Sequence, residues 1–120
     1  MRLKKLIIAG LMTLSVGAVA DGGHDKLEKY SDILEKRYSY VKVEEKKYDL
    51  EYELRDMDGF MLLEIEVEDS FLGKRHTDIE VKDKVEVIAE RAAGDIGEDF
   101  NKPVRVAVEY EDRNILMKKY

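Results

Sequence analysis

Two runs of strict alternation flank a turn-like tetrapeptide, and no other pattern in this chain constrains its fold as tightly. Tyr48, Leu50, Tyr52 and Leu54 alternate with Asp49, Glu51, Glu53 and Arg55, and Met61, Leu63, Ile65 and Val67 alternate with Leu62, Glu64, Glu66 and Glu68. A side-chain period of two is that of a strand with one buried face. Between the runs lies Asp56-Met57-Asp58-Gly59, whose Asp-Gly pair tolerates turn geometry, so a tight hairpin is expected. With Asp56 opposite Gly59, Leu54 faces Met61, Tyr52 faces Leu63, Leu50 faces Ile65 and Tyr48 faces Val67. Every one of these pairs is apolar, and a one-residue slip would split them between the two faces. The same register sets Glu51 against Glu64 and Asp49 against Glu66, with Glu53 and Glu68 nearby. Like charges facing each other cost roughly 0.2–1 kcal/mol per pair, and Lys47 and Arg55 at the two ends offset part of that.

The period elsewhere is helical. From Asp25 to about Ser39, Leu27, Tyr30, Leu34 and Tyr38 fall on one side of an amphipathic helix. Residues 70–82 hold no sustained period and contain Gly73, so they read as loop with a short extended piece at Ile79 to Val81. Asp83, with Glu86 three residues on, has the form of a capping box opening a second helix. Val85, Ile88, Ala89, Ala92, Ile96 and Phe100 line one side of it, and Ala93 and Gly97 keep that side small. Gly94 weakens its C-terminal half. Pro103 ends it, Val104 to Glu111 alternate as a third strand, and Ile115 to Tyr120 read as an optional edge strand after Asp112-Arg113-Asn114. The order α-β-β-α-β predicts an α+β two-layer sandwich, a mainly antiparallel three- to four-stranded sheet with helices on one face.

The first twenty residues carry an address. Arg2, Lys4 and Lys5 precede an apolar run from Leu6 to Gly17, and Ala18-Val19-Ala20 places small residues where a signal peptidase reads. Residues 1–20 are therefore expected to be a cleaved signal peptide, and residues 21–120 a single small domain of the periplasm or cell exterior. Nothing after Ala20 approaches the roughly 20 apolar residues of a membrane helix, so no membrane insertion follows cleavage. Cleavage removes three basic residues and no acidic ones, taking the net charge from −6 to −9. That field opposes nucleic acid and anionic lipid and favours cations or basic partners. With no cysteine in the chain, thiol chemistry, thiolate metal sites and disulfide staples are excluded.

Six carboxylates on the outward parity of the hairpin, Asp49, Glu51, Glu53, Glu64, Glu66 and Glu68, form the first candidate site, a face for weak cation binding or a basic partner. A flat strand face open to water provides no desolvated pocket to shift a pKa, so it reads first as a solvated face and next as a weak cation or basic-partner surface, rather than as acid–base machinery. Asp56-x-Asp58-Gly59 resembles the middle of a calcium loop, but Leu54 and Ile65 occupy positions that need oxygen ligands. Lys74, Arg75 and His76 form a candidate contact loop in which His76 is expected to be solvated. His24 makes a copper-type amino terminus only if the chain starts at Gly22, and the cleavage site puts it fourth. Ser31, Ser39 and Ser70 lack a nucleophile setting. Tyr30, Tyr38, Tyr48, Tyr52 and Tyr110 have core-facing parity, whereas Tyr40 and Tyr120 are expected to be exposed.

The segment from Tyr48 to Gly59, followed by Leu63-Glu-Ile-Glu-Val67, resembles the hairpin of small exported PepSY-type domains. That resemblance, confined to the hairpin and here followed by a long helix, implies protease inhibition or an envelope interaction. The residues themselves point to a non-enzymatic exported binding module without a cofactor, meeting an unidentified protein partner through the acidic strand face or the 70–82 loop. The alternatives are an inhibitor of, or accessory to, an exported enzyme, and, as a third class, a carboxylate-based hydrolase. Mass spectrometry of the exported protein is expected to find Asp21 as the first residue, and bulky replacements at Ala18 and Ala20 to leave precursor uncleaved. An exported chain retaining Met1 would refute the signal.

Overall fold

A computed structural model describes residues 21–69 and 73–120, the side chains of 21–24 excepted. The expected signal peptide and Ser70 lie outside the described residues. Helix α1 (Asp21–Arg37) leads into strands β1 (Tyr40–Val43), β2 (Lys46–Asp56) and β3 (Met61–Glu68), then helix α2 (Asp78–Phe100) and strands β4 (Val104–Tyr110) and β5 (Arg113–Lys119). The fold is α+β, as expected, but the sheet has five strands in the order β1-β2-β3-β4-β5. Its pairing is mixed, because β3 and β4 run parallel while the other neighbours are antiparallel. This corrects the expectation of a mainly antiparallel sheet of three or four strands. A parallel pair needs a crossover, and α2 supplies it.

The hairpin forms with the expected parity and a different register. Asp56 pairs with Met61, Leu54 with Leu63, Tyr52 with Ile65 and Leu50 with Val67, a shift of two residues from the tight turn. A two-residue turn at Met57-Asp58 would require positive φ at Met57 as well as at Asp58. Within this turn only Asp58 has positive φ, at 78°. The Asp58 amide donates to Asp56 Oδ1 at 2.9 Å, and the Met57 amide to the Phe60 carbonyl at 2.9 Å. Because the shift is even, every inward side chain stays inward. Tyr48, Leu50, Tyr52, Leu54, Met61, Leu63, Ile65 and Val67 all lie in one core with Val104, Val106, Val108 and Tyr110. Tyr120 joins that core at its margin rather than standing exposed, while Tyr40 is exposed as expected.

Helix α2 begins six residues before the expected start, with Thr77 rather than Asp83 as its N-cap, so Ile79 to Val81 is helical rather than extended. Its capping box is Thr77 with Glu80: the Glu80 amide donates to Thr77 Oγ1 at 3.3 Å and the Thr77 amide to Glu80 Oε1 at 2.9 Å. Val81, one turn before Val85, extends the buried stripe backwards and gives the earlier start its packing. The helix runs unbroken through Gly94 and ends at Asn101, whose φ of 54° is left-handed.

Helix α1 packs on the same side as α2. Leu34 is fully buried, the Leu54 amide donates to Ser31 Oγ at 3.2 Å, and the Leu50 amide donates to the Ser39 carbonyl at 3.0 Å. Tyr30 donates to Asp99 at 2.6 Å, and Tyr38 and Arg37 donate to Asp95 at 2.8 and 2.9 Å. Acidic groups near a helix C-terminus oppose its dipole, and these three donors from α1 offset that.

A Cβ at Gly94 would meet no atom within 4 Å. Gly94→Ala is therefore expected to stabilise the fold by about 0.5–1 kcal/mol in urea titration. Leu50→Asp and Ile65→Asp, each burying a carboxylate in the core, are expected to cost about 3 kcal/mol or more. If the aspartate variants melt like the wild type, the inward assignment is wrong.

Candidate functional site

Two groups of polar side chains stand out, one on the sheet and one at its end. On the face turned away from both helices, Asp49 lies opposite Glu68, Glu51 opposite Glu66, and Glu53 opposite Glu64. The expected pairs Glu51–Glu64 and Asp49–Glu66 are thus displaced by the longer turn, but the same six carboxylates are brought together. The parallel pairing adds a seventh, since Glu109 on β4 sits beside Glu66 and extends the Glu51–Glu66 row across three strands. Sequence alone missed Glu109 because alternation does not reveal which strands are neighbours. Arg55 spans one end of the ladder, reaching Glu53 at 3.2 Å and Glu64 at 3.0 Å.

The loop before α2 holds the second group. Lys74 and Arg75 are exposed, and Arg75 pairs with Glu111, but His76 is buried, with 5% of its surface exposed. This corrects the expectation of a solvated histidine. Tyr48 lies on β2 and Tyr110 on β4, and their parity, which buries both rings, brings their hydroxyls to the same loop residue. Nδ1 of His76 is 2.7 Å from the Tyr48 hydroxyl, and Nε2 is 2.8 Å from Glu44 Oε1. The His76 amide donates to the Tyr48 oxygen at 3.3 Å, and Tyr110 donates to the His76 carbonyl at 3.0 Å. With its oxygen accepting from that amide, Tyr48 has its proton to give to Nδ1, which leaves the ring proton on Nε2 facing the carboxylate. Both tyrosine rings meet their neighbours edge-on, at 5.8 Å for Tyr48 with His76 and 5.9 Å for Tyr48 with Tyr110.

Ion pairs frame this end. Lys46 and Asp69 are 2.7 Å apart with both side chains nearly buried, and the ammonium lies 5.1 Å from the Tyr48 ring centre. The bond to Asp69 raises the Lys46 pKa. Burial, and then the hydrogen bond with Tyr48, push the Tyr110 phenol up. An open depression beside the loop is lined by Glu44, Glu45, Lys46, Lys47, Asp49, Gly73, Lys74 and His76. Glu44, exposed at the β1–β2 turn with φ of 58°, lines it with His76, and these two and Glu80 of the capping box have ligand-type atoms all within 4.8 Å of one another.

Comparison with family models, with curated proteins and with solved structures finds no match. The hairpin resemblance to PepSY-type domains therefore rests on residues 48–67 alone.

The Arg113 guanidinium beside Asp78, and the Lys102 ammonium followed by the Asp58 amide beside Asp56, hold both carboxyls below the usual range. A depressed carboxylate adds stability that is fully present above its unfolded pKa of about 4 and lost as pH falls through the folded value. The melting temperature is expected to drop on acidification below about pH 4. The drop should be shallower in an Asp56→Asn/Asp78→Asn variant, and an identical slope in wild type and variant would show that these pairs do not couple to folding.

Proposed function

We propose that this is a non-enzymatic binding module of the cell envelope, exported by its amino-terminal signal, and that its acidic strand face receives a basic segment of a partner protein. The observation that carries the reading is the Glu51–Glu66–Glu109 row, with Glu53–Glu64 and Asp49–Glu68 in the rows on either side. Adjacent strands lie about 4.8 Å apart, so three carboxylates, with Glu66 buried between its half-buried neighbours rather than open to water as expected, fall within roughly one Debye length of one another and give this face a summed negative field. Such a field steers and orients a cationic partner more than it adds raw affinity. Basic residues bound the patch, with the Lys42–Lys47 pair at one corner and Arg55, Arg105 and Lys119 along the opposite end. A fitting partner has lysine or arginine at its centre and neutral or acidic flanks. An inhibitor of, or accessory to, an exported enzyme would use the same surface.

Fluorescence anisotropy with a short oligolysine peptide tests the proposal. Binding is expected at low salt, weakening as salt rises, and about tenfold weaker in a Glu51→Gln/Glu66→Gln variant than in an Asp83→Asn/Glu90→Gln control on α2. Equal affinities in the two variants would mean that net charge, and not this face, attracts the peptide.

A further inference from the structure

We propose that Glu44, His76 and Glu80 form a binding site for a divalent ion of the zinc class, independent of the acidic strand face. The three side chains come from the β1–β2 turn, the loop before α2 and the first turn of α2, and their ligand atoms lie within 4.8 Å of one another. A tetrahedral ion with bonds of about 2.05 Å needs ligand atoms roughly 3.3 Å apart. The Nε2 to Glu44 Oε1 distance of 2.8 Å must therefore open slightly and the longer separations close. Glu44 is exposed and Glu80 partly so, which leaves their side chains room to make that adjustment.

His76 gives the site its character. Imidazole nitrogen with two carboxylates suits zinc and its neighbours, whereas calcium and magnesium prefer all-oxygen shells. The ring is held before any ion arrives, with its side chain 2% exposed and Nδ1 against the Tyr48 hydroxyl. A ligand imidazole whose second nitrogen is hydrogen-bonded inside the protein is the arrangement that fixes tautomer and direction at metal sites. Coordination at Nε2 requires the ring proton to move to Nδ1. There it donates to the Tyr48 oxygen, and the Tyr48 hydroxyl rotates its own proton away from the ring. The neutral ring loses no net proton in this exchange.

Glu80 serves two roles without conflict. Its Oε1 accepts from the Thr77 amide at 2.9 Å and from the Thr77 hydroxyl at 3.0 Å, so its second oxygen remains for an ion. The positive end of the α2 dipole opposes a cation here, and the two carboxylates more than offset its half charge.

Isothermal titration of the full-length protein with zinc chloride is expected to show one site of micromolar affinity, with magnesium chloride at matched ionic strength giving no comparable heat. Glu80→Gln keeps a residue competent for the capping box and removes the carboxylate. It is expected to weaken zinc binding at least tenfold while leaving the metal-free melting temperature close to that of the wild type, and Glu44→Gln should do the same. Nitrogen NMR of the His76 ring should show Nδ1 gaining its proton as zinc is added. A His24→Gln variant should bind zinc as the wild type does. Absence of zinc binding, undiminished binding in both glutamine variants, loss of binding in His24→Gln, or a His76 ring unmoved by zinc would each overturn the site.

Discussion

The parallel pairing of β3 with β4 is the constraint from which the rest follows. Because Met61 pairs with Val104 and Val67 with Tyr110, the chain leaves β3 at one end of the sheet and must return to the other before β4 begins. Eight residues of strand span roughly 26 Å, and the 23 residues of α2 span roughly 34 Å, so one helix covers the return with length to spare. Both ends of this crossover are tied to the hairpin. Lys102 reaches Asp56 at the turn, at 2.8 Å, and His76 meets Tyr48 near the start of β2. The helix is therefore located by polar contacts at its two ends and by the stripe Val81, Val85, Ala89, Ala92 and Ile96 between them.

What the sequence discloses and what it hides divide along physical lines. Inward and outward parity in β2, β3 and β4 is legible because it needs only the period of two. The hairpin register is not, because it depends on whether Met57 accepts a left-handed conformation, and an even shift leaves the apolar pattern unchanged. The parallel pairing is equally hidden, since a strand with one buried face alternates the same way in either direction. Strand β1 is four residues, too short to stand out from its surroundings. The early start of α2 had a signal in Thr77-x-x-Glu80 and in Val81 one turn before Val85, but the competing Asp83-x-x-Glu86 has the same form.

The polar end of the molecule was the least legible part. His76 sits beside glycine, lysine and arginine in a segment that reads as solvated. Its partners Tyr48, Glu44 and Tyr110 are 28, 32 and 34 residues away in the chain. Only the fold brings them together, and once it does, the amide, carbonyl and both ring nitrogens of one loop residue are engaged. The buried Lys46–Asp69 pair nearby fits the same logic, since a desolvated ion pair contributes little net stability but holds its partners in one orientation.

Beyond the reach of β1, the outer margin of β2 meets a helix where a sheet would ordinarily supply another strand. The Ser31 hydroxyl takes the hydrogen bond from Leu54 that a neighbouring strand's carbonyl would take, and the Ser39 carbonyl does the same for Leu50. Helix α1 is thus a guard against edge-to-edge association as well as a cover for the core. It precedes β2 in the chain, so during synthesis the guard emerges before the edge it protects. A copy from which α1 has been peeled away would leave the Leu54 amide and the outer margin of β2 open to another chain, making this helix a cover for backbone as well as for side chains.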